Sequence, residues 1–109
     1  MGLNRGDVAI VIAPGDYGKP RPALVLQSNA FDQTESVVVA LITSDRRPES
    51  VLFRKAILPT DGNGLRQLSD VMLDKLVSLP RVKVSGAIGH LTTAQMVEIN
   101  SSLALFLGM

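Results

Sequence analysis

The run SVVVALITS, residues 36–44, constrains this chain more than any other stretch. Its β-branched side chains are stiff at χ1 and favour the extended backbone of a buried strand. Similar runs recur at short intervals. VAIVIA (8–13) ends at Pro14 and Gly15, PALVLQS (22–28) follows, and VLFRKAILP (51–59) stops at the turn TDGNG (60–64). QLSDVMLDKLVSL (67–79) holds one or two further short strands, with Pro80 as an interruption. The connections NAFDQTE (29–35) and DRRPES (45–50) are polar and too short for repeated crossover helices, so the strands pair mostly antiparallel. VKVSGAIGHL (82–91) fits no single element. TTAQ (92–95) is a capping-box pattern, and Met96, Ile99, Leu103 and Leu107 follow at helical spacing up to Gly108, a suitable left-handed cap. The expectation is one domain, residues 1–109, mainly β in an α+β arrangement: a small, curved, barrel-like antiparallel sheet closed by a C-terminal helix.

Composition narrows the function. A hydrophobic content of 46% and a mean hydropathy of +0.26 are high for 109 residues. A small domain has much surface for its volume, so part of that apolar surface is expected to be covered by a partner. There is no Cys, which excludes disulfides, thiolate metal sites and cysteine nucleophiles. The single His argues against a His-based metal site, and neither a metal nor a cofactor is expected. With 11 basic and 10 acidic residues, any nucleic-acid surface must come from local clustering. The longest apolar run, VVVALI (37–42), falls far short of the roughly 20 residues of a membrane span, so no membrane partner and a cytoplasmic location are expected.

The chemistry-bearing residues gather in GDYGKPRPALVLQ (15–27). Arg21 stands between Pro20 and Pro22, which restrict the backbone on both sides and so preorganise the root of a guanidinium able to hold two phosphate oxygens. The plain alternative is a surface arginine in a stiff turn. Of its loop neighbours, Tyr17 can stack on a base and Lys19 can meet a phosphate, beside Asp16; the alternative is an ordinary Asp–Tyr–Gly turn. Thr43, with Ser44 beside it, ends the central run. A hydroxyl there can donate to a phosphate, although such a group more often bonds the next turn. Arg46, Arg47, Arg54 and Lys55 form the densest basic set, diluted by Asp45 and Glu49. His90 in GHLT reads as structural. The apolar residues of the last helix exceed one face, leaving some for a partner.

RGDV (5–8), RPALVL (21–26), VVVALITS (37–44), GL (64–65), Ser69-Asp70-Val71 with Asp74 following, and GHLT (89–92) before the helix occur in an order that resembles the MazF/PemK family of toxin endoribonucleases from bacterial type II toxin–antitoxin systems. The resemblance covers nearly the whole chain. It implies an SH3-like barrel with a C-terminal helix, a homodimer, a single-stranded RNA substrate cut without ribosomes or metal, and a cognate antitoxin that blocks the RNA groove. It implies catalytic roles for Arg21 and Thr43, and an acid/base role for Asp74, whose plain alternative is a surface carboxylate or a salt-bridge partner. Two features depart. Members that use this aspartate carry an arginine two residues earlier, where this chain has Met72, and the loop from Pro14 to Pro20 is shorter than usual. Two rivals follow from the same resemblance. One is a gyrase poison like CcdB, although Leu107 stands where that protein has an aromatic. The other is a family member that binds antitoxin but barely cleaves.

Overall fold

The computed structural model describes residues 2–50 and 52–109. Six strands form one sheet: β1 (Asp7–Ile12), β2 (Pro20–Val25), β3 (Ser36–Thr43), β4 (Arg54–Ile57), β5 (Ser69–Pro80) and β6 (Val84–His90). Every pairing is antiparallel, in the order β4-β5-β3-β2-β1-β6, and α1 (Thr93–Leu107) closes the chain. Three short 3-10 turns, Asn29–Phe31, Pro48–Ser50 and Arg81–Lys83, serve as connections. Among the described residues no helix is long and apolar enough to cross a membrane.

The apolar runs become strands because alternate residues bury on opposite faces of a curved sheet. One cluster packs Val8, Leu24, Ile42, Val71 and Leu73 beneath Ile99 of the helix. The other packs Val11, Val25, Val37, Val39 and Leu79 on the opposite side. The central run is therefore buried through both of its faces, which is why it reads as continuous apolar sequence.

The element limits differ from the sequence expectation for local reasons. β2 stops at Val25 because Gln27 leaves the ladder: its side-chain Oε1 accepts the Val38 N–H at 3.1 Å, while the Leu26 and Gln27 amides both donate to the Val38 carbonyl. β4 is short, and the residue expected to open it, Val51, lies outside the described residues. The stretch 67–79 yields one strand, and Pro80 ends it instead of interrupting it, at the sheet position opposite Ser36. β5 bends midway. Ala40 pairs with Leu76 but Ile42 with Val71, so Met72–Lys75 bulge opposite the single residue Leu41. The ambiguous segment becomes β6, an edge strand along β1.

The helix cap forms as read. Thr92 Oγ1 accepts the Gln95 amide at 3.1 Å and Gln95 Oε1 accepts the Thr92 amide at 2.8 Å, while Gly108 ends the helix at φ 74°. Ile99 is fully buried and Met96 and Leu103 flank it, but Val97, Leu105, Phe106 and Leu107 remain exposed. The apolar excess noted in the sequence thus appears as uncovered surface on the last helix of one chain.

Candidate nucleic-acid cleft

The cleft opens where the sheet runs out of hydrogen bonds. β2 pairs with β1 through Pro20, Arg21 and Pro22, opposite Ile12, Val11 and Ile10. Toward β3 its register begins only at Ala23 opposite Leu41. Pro20 and Pro22 have no N–H to give, so the ladder cannot extend past Ala23, and the ends of β2 and β3 part. Lys19, Arg21, Thr43, Ser44, Arg66 and Gln67 line the resulting hollow of about 630 Å³.

Arg21 meets Asp16 across the loop, its Nε lying 2.7 Å from Oδ2, with the two side chains 32% and 19% exposed. The N–H does not aim at that oxygen, which accepts no aligned hydrogen bond, so the contact is one of charge. Asp16 therefore touches the arginine and orients it. The Asp16 amide donates to the Ala13 carbonyl and the Lys19 amide to the Asp16 carbonyl, which folds the loop into a tight turn. At its tip Tyr17 adopts φ 53°, uncommon for a residue with a Cβ, and its ring is fully exposed.

Thr43 Oγ1 accepts the Asp45 amide at 3.0 Å, the strand-end turn that the plain reading anticipated. That bond uses an oxygen lone pair and leaves the hydroxyl hydrogen to be donated. Thr43 is held in register opposite Asp70 of β5, and Ser44 follows it into the cleft.

The far wall is the segment after TDGNG, which the sequence reading treated only as a turn. Asn63 is buried and saturated: Oδ1 accepts the Thr60 and Leu65 amides at 3.0 Å each, and Nδ2 donates to the Leu58 carbonyl at 2.9 Å. Two glycines let this turn lie directly on β6. A Cβ on Gly89 would stand 2.4 Å from the Asn63 carbonyl carbon, and one on Gly64 2.6 Å from the Ile88 oxygen. Arg66 and Gln67 emerge from this wall between buried Leu65 and buried Ser69. The only sequence signal for them was their position immediately after Gly64-Leu65.

Residues 4–107 match the PemK-like, MazF-like toxins of type II toxin–antitoxin systems. The chain belongs to that family. It is 40% identical over 109 residues to a probable endoribonuclease MazF of Mycolicibacterium smegmatis, the match spanning 98% of each chain. Its fold is similar to that of an endoribonuclease from a mycobacterial species in complex with its cognate antitoxin, with a TM-score of 0.80 and 27% identity over 98% of this chain and 96% of that one. The Mycobacterium tuberculosis toxin MazF-mt6 aligns with a TM-score of 0.78 and 25% identity over 94% of this chain and 97% of its own.

In this MazF-like toxin Asp74 is not brought to the cleft. It sits on the bulge of β5, gripped by Arg54 through two bonds of 3.0 Å, Nε to Oδ1 and Nη2 to Oδ2, with side-chain exposures of 12% for the arginine and 21% for the aspartate. The Arg54 hydrogen bonds hold the Asp74 carboxyl below its ordinary range against an opposing desolvation, and Asp74 in turn raises Arg54. Arg54 lies opposite Met72 in the β4–β5 register. Asp74 thus takes its arginine from the adjacent strand, while position 72 of its own strand is Met.

The basic set after Thr43 is similarly engaged. Arg46 Nε donates to nearly buried Asp70 at 3.0 Å, and Arg47 binds exposed Asp45 at 3.0 Å. With Arg54 and Lys55 they border a second hollow on the other side of the β3–β4 connection, separate from Arg21. His90 lies opposite Asp7 at the sheet edge, beside a shallow depression with Arg5 and Met96, away from the cleft.

Proposed function

We propose that this toxin is a ribosome-independent, metal-independent endoribonuclease that cuts single-stranded RNA in the cleft between β2 and β3. The observation that carries the reading is the placement of Arg21 and Thr43 on the parted ends of these two strands, around one hollow large enough for a nucleotide. The RNA supplies its own nucleophile. Its 2′-oxygen loses a proton and attacks the adjacent phosphorus, and the bond from phosphorus to the 5′-oxygen breaks as that oxygen gains a proton. The products are a 2′,3′-cyclic phosphate and a 5′-hydroxyl.

The guanidinium of Arg21 neutralises the charge that develops on the phosphorane oxygens. The free hydrogen of Thr43 donates to one of them, and Ser44 supports it. Asp16, the one carboxylate within ion-pair reach of Arg21 among the described residues, aims the guanidinium, and a residue of its loop assists proton transfer. Lys19 meets the backbone and the exposed ring of Tyr17 stacks on a base. Arg46 and Arg47 serve the approach of the strand from outside the cleft. The toxin works in the cytoplasm as a homodimer, and a cognate antitoxin neutralises it by covering the cleft and the exposed apolar residues of α1.

The test is incubation of the purified protein with a long unstructured RNA and with matched DNA, both with EDTA, followed by mapping of the ends. Discrete RNA cuts with cyclic-phosphate ends and intact DNA are expected, because DNA lacks the 2′-hydroxyl. RNA left intact across varied sequences overturns the reading.

A further inference from the structure

We infer that Arg66 captures the RNA backbone: it binds a phosphodiester group on the far wall of the cleft, adjoining the one that Arg21 engages. The inference rests on the nuclease reading and adds a residue to it. The chain has seven arginines. The other six each have a polar or charged partner within the chain. Arg5 holds the Leu26 carbonyl and Asn100, and Arg81 holds the Thr34 carbonyl. Arg21, Arg46, Arg47 and Arg54 each face an aspartate. Among the described residues Arg66 alone has neither a hydrogen bond nor an ion pair for its guanidinium, and it lies exposed on the cleft that holds Arg21 and Thr43.

That difference matters energetically. A phosphate that binds Arg21 must compete with Asp16 at 2.7 Å, whereas one that binds Arg66 displaces only water. Asp45, the carboxylate on the same cleft, is already matched to Arg47 at 3.0 Å. Arg66 is also well rooted. Leu65 before it is buried, Asn63 has its amide and carbonyl groups bonded, and Gly64 and Gly89 let the wall rest against β6 with no room for a Cβ. A strand of RNA crossing the hollow therefore meets Lys19 and Arg21 on one side and Arg66, on its rigid backbone, on the other. Such contacts set register and orientation without reading sequence.

The experiment measures binding of an RNA carrying a 2′-O-methyl group at the mapped cut nucleotide, which blocks the nucleophile, over a range of salt concentrations. Arg66→Ala is expected to weaken binding by about tenfold, the scale of one charge-assisted hydrogen bond. It should also reduce the slope of log affinity against log salt by about 0.7, the value for one phosphate of a single strand. Arg66→Lys should keep the slope. Lys83→Ala, an exposed cation away from the cleft, is the control and should change neither quantity. Wild-type affinity and slope in Arg66→Ala overturn the inference. So does an altered cut-site sequence with an unchanged slope, which would make Arg66 a base reader. A wild-type protein that neither binds nor cuts RNA removes the nuclease reading itself, a result distinct from either.

Discussion

Two arginine–aspartate pairs in this toxin use the same groups for opposite ends. Arg21 and Asp16 meet at the mouth of the cleft, joined by a charge contact of 2.7 Å with no aligned hydrogen bond, and the arginine is about a third exposed. Arg54 and Asp74 meet on the β5 bulge through two parallel bonds of 3.0 Å, and the arginine is 12% exposed. The first pair is loose and faces a hollow. The second is bidentate and lies at a hollow separate from Arg21, where it joins β4 to β5. A guanidinium with spare hydrogen-bonding capacity and access to solvent can take a phosphate; one that has used its fork on a carboxylate ties two strands together. Residue type does not separate these roles. Satisfaction and access do.

The largest effect expected is on the loose pair. Arg21→Ala should lower RNA cleavage by about 10²–10³-fold, the loss typical of removing one preorganised charge from a transition state. Its urea midpoint should stay near wild type, since a half-exposed ion pair contributes only about 0–1 kcal/mol. Normal cutting by this variant would end the distinction drawn above. Thr43→Val keeps the shape and deletes the donor, and should slow single-turnover cleavage by about 10²-fold, with recovery in Thr43→Ser. Equal rates in the valine and serine variants would reduce Thr43 to a strand-end turn.

The bidentate pair should answer in stability instead. Arg54→Ala leaves a largely buried carboxylate without its partner and is expected to cost about 1–3 kcal/mol in urea unfolding, between the values for surface and fully buried pairs. Its cleavage per folded molecule should be nearly that of wild type; a loss matching Arg21→Ala would place the second pair in the reaction. The smallest effect is on pH. Because the Asp74 carboxyl is held below its ordinary 3.8, the stability it contributes is complete above that value and fades as pH falls toward the lowered native one. The gap between wild type and Arg54→Ala should therefore narrow in acid below 3.8 and stay constant at neutral pH. The raised value of Arg54 matters only in strong base, far above neutral pH.

Much of the fold was legible because its signals are local. The β-branched runs at 8–13 and 36–44 became β1 and β3, and the Thr92–Gln95 box and Gly108 became the helix caps. Each of these depends on residues within a few positions of one another. The expectation for Pro20-Arg21-Pro22 was similarly local, a stiff backbone around the arginine; that the same prolines also end the ladder to β3 at Ala23 shows only in the structure. What escaped was long-range. The resemblance implied an acid/base role for Asp74, and the sequence could not name its ion-pair partner because Arg54 is 20 residues away and reaches it only through the β4–β5 register. Arg66 was not singled out in the sequence at all, and its lack of a partner shows only once every other arginine is matched to one.

Taken alone, then, the order of residues determined the buried runs that became β1 and β3, the capped C-terminal helix, and the presence of a stiff arginine and a strand-end threonine. Backbone stiffness, missing proline donors and cap chemistry act over a few residues and are written in the chain. Only the tertiary structure decided which charges are spent and which remain available. An ion pair depends on distance between side chains brought together by sheet register, and that register emerges from the packing of both faces of the sheet at once.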